Sequence, residues 1–305
     1  MIHLKTLLDW KPSETEAVLA TAHDLKNAWK KGKRESLLAG HVITMLFEKP
    51  SLRTRNSFET AMIHLGGSGI FLTTQEAGLK GRESLADVAR VISSYSDFVA
   101  IRTFDQSFIE DFAAWSSCPV VNALSDSYHP CQALTDIFTM SELFDDYKDR
   151  HLVYIGDGNN VVASLAIITA HLGMPITICT PPGYELDPTL IQRLQSEYPA
   201  WTVTTTNNVD VAVKEADVIY TDVWASMGQE AEEQKRKKIF EPYQINETLL
   251  SKAPKSCKFL HCLPAHRGDE VTDGVMDGEQ SAAFQQAENR MHLAKGLLYW
   301  LKQNR

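Results

Sequence analysis

Short apolar runs rich in β-branched residues alternate with stretches of helical periodicity along almost the whole chain. This alternation restricts the fold more than any other feature. Val42–Phe47 (VITMLF), residues 98–103 (FVAIRT) and residues 119–124 (PVVNAL) read as buried strands. Residues 51–65 carry Phe58, Met62 and Leu65 at helical spacing, and residues 130–144 bring Leu134, Ile137, Phe138 and Ser141 close to one face. After the polar stretch 145–150 the pattern restarts. Strands are expected at Leu152–Ile155, 176–180, 202–206, 218–222 and 258–263, helices at Asn160–Leu172 and 188–198, and one long helix over 281–302. Parallel strands need a crossover connection, so such alternation builds parallel sheets covered by helices. The expected fold class is α/β: two doubly wound parallel-sheet domains with a cleft between them. The domains are placed at residues 1–145 and 146–285, with the C-terminal helix, about 286–305, packing back on the first. A length of 305 residues suits two such domains.

Charge and cysteine usage narrow the function. A net charge of −9 argues against a general nucleic-acid binder while leaving room for a local basic pocket. The five cysteines are odd in number and contain no CxxC, so a reduced, cytoplasmic setting is expected. The N-terminus shows no basic segment followed by an apolar core, and no signal peptide is read. The apolar stretch 161–174 is broken by Ser164, Thr169 and His171 and is shorter than the roughly 20 residues of a membrane span, so it reads as a buried helix. The charge run EAEEQKRKK at 230–238 offers Glu232–Arg236 and Glu233–Lys237 as i,i+4 pairs and reads as a solvated helix face.

The segment SLRTR at 51–55 follows a strand and opens a helix. Ser51 can cap that helix, whose free N–H groups attract an anion. Arg53 and Arg55 stand at the same helix start, where the dipole disfavours cations by roughly 0.3–1 kcal/mol. An anion arriving between them would offset that cost; the competing reading is a pair of solvated or salt-bridged arginines. Arg102 ends the 98–103 strand, and His129 and Gln132 follow the next one, so all three lie at the sheet edge where α/β ligands gather. His and Gln there can donate hydrogen bonds to a carbonyl oxygen that gains charge.

In the second half, GDGNN at 156–160 matches only the first part of GxGxxG, with Val161 in the place of a glycine. The next strand ends in Cys-Thr, with no acid for a ribose, so nicotinamide binding is disfavoured. Asp222 ends a strand and is followed by Ser226-Met227-Gly228; a carboxylate there suits an ammonium group, although without the other motifs a routine acidic turn is the preferred reading. HCLP at 261–264, with Cys257 and His266 nearby, raises a zinc site, but the spacing fits no common finger and Phe259, Leu260 and Leu263 mark a buried strand.

Seven segments in order, SLRTR (51–55), IRTF (101–104), HPCQ (129–132), GDGNN (156–160), DVWASMG (222–228), HCLP (261–264) and ENR (288–290), resemble the aspartate/ornithine carbamoyltransferase family over essentially the whole chain. The resemblance implies a two-domain transferase that moves the carbamoyl group of carbamoyl phosphate to the δ-amine of L-ornithine, giving L-citrulline and phosphate in arginine metabolism. It needs no metal and no organic cofactor. It assigns Ser51, Leu52 (through its N–H), Arg53, Thr54, Gln75, Arg102, His129, Gln132, Cys262, Leu263 (through its carbonyl) and Arg290 to carbamoyl phosphate, and Asn160, Asp222, Ser226 and Met227 to ornithine. The catalytic set is Arg102, His129, Gln132, Asp222, Cys262 and Arg290. The family more often reads Ser-Thr-Arg-Thr-Arg, so Leu52 replaces a hydroxyl while keeping the N–H. Gln75 matches a residue that reaches a neighbouring subunit's site, which implies a homotrimer or a multiple of trimers.

Overall fold

The computed structural model describes residues 1–79, 81–225 and 232–304. Ser226 and Met227, expected at the amino-acid site, and Gly228 lie outside the described residues. The chain divides into two compact units: Met1–Phe138 with Glu288–Arg305, and Thr139–Ala287.

The first unit is built on β1 (Val42–Phe47), β2 (Ser68–Thr73), β3 (Phe98–Arg102) and β4 (Val120–Leu124), all parallel, in the order β2-β1-β3-β4. Helix α1 (Pro12–Lys30) precedes the sheet. The crossovers are α2 (Leu52–His64), α3 (Leu85–Tyr95) and α4 (Gln106–Trp115), and α5 (Pro130–Leu143) follows β4. Each crossover turns an apolar stripe to the sheet: Phe58, Ala61 and Met62 of α2, Val88, Ala89 and Ile92 of α3, Ile109 and Phe112 of α4. β1 and β3 are buried along nearly their whole length, which is why they read as continuous apolar runs. β2 is an edge strand with its first three residues exposed, and its Ser-Gly start carries no such signal.

The second unit has β5 (Leu152–Ile155), β6 (Ile176–Cys179), β7 (Val203–Thr206), β8 (Val218–Thr221) and, later, β9 (Lys258–His261), parallel in the order β7-β6-β5-β8-β9. Its helices are α6 (Asn160–Leu172), α7 (Pro188–Glu197), α8 (Val209–Ala212), α9 (Glu233–Phe240), α10 (Glu247–Leu250) and α11 (Asp273–Met276). Every residue of α6 after Asn160 is buried, so the longest apolar stretch of the sequence is a core helix, as its interruptions suggested.

The last helix, α12 (Ala283–Gln303), runs from the second unit into the first. From Glu288 onward it packs on the first unit, as expected. Gly296 lies against Ala22 so closely that a Cβ would sit 2.7 Å from the Ala22 backbone N. Trp300 meets Trp10 with ring centroids 5.1 Å apart, and Lys26 Nζ donates to Asn289 Oδ1.

Candidate active site

In each sheet the chain leaves two adjacent central strands in opposite directions. The crevice this opens at their C-terminal ends is where ligands bind in α/β sheets. In the first unit those strands are β1 and β3. Beyond β1, Ser51 caps α2: its Oγ accepts from the Thr54 N–H at 3.3 Å and donates to Thr54 Oγ1 at 3.0 Å. Leu52 is 74% exposed, so its contribution to this helix start is its backbone. Arg102 is the last residue of β3, where the pairing with β4 shifts register.

Three cations share this edge. Arg102 is 8% exposed and Arg290, from α12, 5%. Burial, then Arg290 and Arg53, pull the Arg102 guanidinium down to about 10. His129 is held well below the usual imidazole value by burial, then by Arg290 and Arg102, so it stands neutral between cations. Two nitrogens of Arg290, Nη1 and Nη2, make no hydrogen bond among the described residues. Buried cations that repel one another are costly by themselves, and a doubly charged anion with several acceptor oxygens offsets that cost. Gln132 donates through Nε2 to the buried Asp136 Oδ1 at 2.7 Å, which fixes its amide plane.

Arg55 departs from expectation. It pairs with Glu59 at 3.0 Å and lies over the Phe71 ring at 4.0 Å, with its side chain 46% exposed. Arg55 lies two residues beyond Arg53 along α2 and so points another way, and of the two arginines it is Arg53 whose charge acts on Arg102. A cavity of about 660 Å³ opens here, lined by Phe47, Lys49, Ser51, Leu52, Arg55 and Phe71 among others. Gln75 is exposed in the turn after β2.

Sequence reasoning missed Glu48 and Lys49. Glu48 Oε2 accepts from Thr103 Oγ1 at 2.7 Å and from the Phe104 N–H at 3.3 Å. The buried Lys49 donates to Asp126 Oδ1 at 2.5 Å and lies 3.9 Å from the Phe104 ring centroid. Together they lash the loops after β1, β3 and β4 to one another. The available signal was a charged pair directly after a buried strand.

In the second unit the diverging strands are β5 and β8. Gly156 sits at φ +152°, which favours glycine, and its N–H donates to the Cys179 carbonyl at 3.0 Å. Gly158 donates to the Tyr184 carbonyl at 2.9 Å, and a Cβ there would stand 2.4 Å from the Glu185 carbonyl carbon. The two glycines therefore serve the packing of the chain on itself, and their amides are not turned to a pyrophosphate.

Asn159 is a third residue that sequence reasoning passed over. Its Oδ1 caps α6 by accepting from the N–H groups of Val161 and Val162 at 3.0 and 3.3 Å. Its Nδ2 donates to Asp222 Oδ2 at 2.8 Å, while the Cys262 thiol donates to Asp222 Oδ1 at 3.0 Å. The carboxylate just beyond β8 is thus held at both oxygens. Asn160, the first residue of α6, is half-buried. An Asn directly before an apolar helical run was the signal for the cap.

The charge run is corrected in one respect. Glu232–Arg236 and Glu233–Lys237 are paired at 3.4 and 3.1 Å, but Arg236 is buried rather than solvated. Its Nη1 reaches Asp157 Oδ2 and the Trp224 carbonyl, each at 2.9 Å. Burial pushes the Asp157 carboxyl up, and Arg236 opposes that shift. After β9, Cys262 and Leu263 occupy the loop start, and Leu263 has φ +58°. Both ring nitrogens of His261 are engaged within the protein, and no group of three or more His, Cys, Asp or Glu among the described residues could hold a metal ion.

Each of the two parallel α/β units thus carries polar side chains at its own switch point. The family model described as "Aspartate/ornithine carbamoyltransferase, carbamoyl-P binding domain" matches residues 2–142, and its companion, "Asp/Orn binding domain", matches residues 148–301. A protein named ornithine carbamoyltransferase from Halalkalibacterium halodurans is 47% identical over 297 residues, 97% of this chain and 93% of that one. One of the same name from Bacillus subtilis is 47% identical over 300 residues, 97% and 92% of the two chains. The solved ornithine carbamoyltransferase of Pyrococcus furiosus superposes with a TM-score of 0.93 at 46% identity, covering 97% of this chain and 95% of that one. This chain belongs to the aspartate/ornithine carbamoyltransferase family.

Proposed function

We propose that this protein is an ornithine carbamoyltransferase, which converts carbamoyl phosphate and L-ornithine to L-citrulline and phosphate. The observation that carries the reading is the cluster of repelling cations at the β1/β3 switch point: buried Arg102 and Arg290 flank a neutral His129, and half-buried Arg53 acts on Arg102. Residues 1–145 with about 286–305 take carbamoyl phosphate, and 146–285 take ornithine. The N–H groups at the start of α2, with Ser51, Arg53 and Thr54, hold the phosphate. Arg102, His129 and Arg290 face the carbonyl oxygen and stabilise the charge that develops on it, with Gln132 fixing the carbamoyl group. Asp222, Asn160, Ser226 and Met227 hold ornithine, and Cys262 and the Leu263 carbonyl border the reacting carbon.

Free amine is the nucleophile. An alkyl ammonium titrates near pH 10, like the lysine value of about 10.4, so the bound amine has to lose a proton before it attacks. The nitrogen then bonds to the carbonyl carbon, the tetrahedral oxyanion collapses, the C–O bond to phosphate breaks, and the departing phosphate carries the electron pair and accepts the amine's second proton. Carbamoyl phosphate is already activated, so orientation and electrostatics suffice without a covalent intermediate. The protein acts in the cytoplasm, in arginine biosynthesis, as a homotrimer or a multiple of trimers. Exposed Gln75 of one copy completes the site of the next. A relative from Pyrococcus furiosus, 46% identical, is named as anabolic, which supports the biosynthetic direction.

The decisive assay supplies carbamoyl phosphate with ornithine, N-acetylornithine, putrescine or aspartate in parallel. Citrulline formation from ornithine should exceed carbamoylation of every other amine. Preference for aspartate or putrescine would reject the assignment.

A further inference from the structure

Leu263 adopts φ +58°, a left-handed conformation that a branched residue enters only at a cost. His261 holds it there. Nδ1 of His261 accepts the Leu263 N–H at 2.9 Å, and Nε2 lies 3.1 Å from Glu270 Oε1, with both side chains at 0% exposure. Because an N–H points at Nδ1, that nitrogen carries the lone pair, and the ring proton sits on Nε2 and is donated to Glu270. Glu270 Oε1 also accepts the His266 N–H at 2.6 Å, and the His261 N–H donates to Gln286 Oε1 at 2.9 Å. A buried carboxylate thus sets a tautomer, and the tautomer sets the backbone of the loop that carries the Cys262 thiol.

We propose that His261 is a positioning residue for carbamoyl transfer: its Nδ1 fixes the backbone of Leu263 and thereby aims the Leu263 carbonyl and the Cys262 thiol, with Glu270 locking the ring. The proposal rests on the reading that Cys262 and Leu263 border the reacting carbon. His261 does not touch substrate, since both of its nitrogens are engaged inside the second unit.

Two amide substitutions separate the two nitrogens. The asparagine oxygen in His261→Asn falls near the position of Nδ1 and still accepts from Leu263, whereas His261→Gln reaches the position of Nε2 and leaves Leu263 without its acceptor. His261→Asn should keep kcat within about threefold of the parent. His261→Gln should lose on the order of 10²-fold, with the carbamoyl phosphate KM little changed, as expected for misplaced groups. A second readout needs no turnover. Cys262 is the one cysteine that is not buried, so the rate of alkylation by iodoacetamide in the resting protein reports on this loop. That rate should change at least about fivefold in His261→Gln and stay within about twofold in His261→Asn. Adding Leu263→Gly, which tolerates φ +58° unaided, should return the His261→Gln rate towards the parent value. Equal losses of kcat in both variants that track equal losses of thermal midpoint would overturn the proposal, as would an unchanged alkylation rate in His261→Gln. A parent protein that forms no citrulline while the alkylation contrast persists would sink the functional reading and leave the positioning role intact.

Discussion

Arg53, Arg102 and Arg290 illustrate how single residues can be arranged against their own interest. Each is charged, and two of them are almost fully buried; Arg53 and Arg290 both repel Arg102, and Arg102 and Arg290 hold His129 neutral. On the proposed reading, phosphate oxygens relieve that repulsion on arrival, so the anion should be bound more tightly than by solvated arginines. Replacing Arg53 with alanine should therefore lower kcat/KM for carbamoyl phosphate at least ~10²-fold, the scale of a lost transition-state donor. Steady-state kinetics near the parent values would refute its role. A different buried histidine gives a stability prediction. Burial lowers His171 to about 4, against an ordinary value of 6.5. The unfolded chain takes up a proton as pH falls below 6.5 while the folded chain does not until about 4, so stability is full above 6.5 and is lost through that window. At ~1.4 kcal/mol per pH unit, His171→Gln should lose about 2 kcal/mol less than the parent between pH 7.5 and 5, as read by urea denaturation at each pH. These residues also show how far the sequence could be read. Arg102 and His129 were legible because they end or follow buried strands. Arg236 was not, because an i,i+4 spacing says nothing about which way a side chain turns once Asp157, far away in sequence, stands within reach.

At the scale of elements, most strands that were read are buried on both faces, β7 being half exposed, and the one missed is β2. β2 lies at a sheet edge, and its residues 68–70 are exposed. The stripe of α1 is blurred because buried Thr15 and Lys26 interrupt it. Strand limits were read one residue too long at 98–103 and 218–222 and two too long at 258–263. The difference matters, since it sets Asp222, Cys262 and Leu263 in loops, free to turn from the pleat. No periodicity could reveal the contact of α12 with α1, which depends on the absence of a side chain at Gly296. Gly296→Val should lower unfolding free energy by roughly 1–3 kcal/mol through overpacking against Ala22, with helix content kept in circular dichroism. An unchanged urea midpoint would mean that the two helices separate without cost.

For the whole molecule, both strand orders place a pair of diverging strands beneath the polar residues, yet a sequence shows only that strands and helices alternate. Which strand lies beside which depends on pairings between distant segments, and the seven-segment resemblance supplied what local patterning could not. The assembly is tested at the same scale. If Gln75 serves a neighbouring copy, mixing the inactive Gln75→Ala and Arg102→Met variants should restore part of the activity, because some mixed sites carry both parent residues. No recovery after subunit exchange has been verified by mass would exclude sharing.

The path of α12 has a consequence for biosynthesis. The first unit holds residues up to Phe138 and then nothing more until Glu288. A ribosome therefore makes the whole of the second unit before it supplies the helix that covers α1 and delivers Arg290. During that interval Ala22 and its neighbours lack their cover, and the proposed anion site lacks Arg290. The nascent first unit should be sticky until the α12 segment has been made, and on the proposed reading it should bind phosphate more weakly until Arg290 arrives.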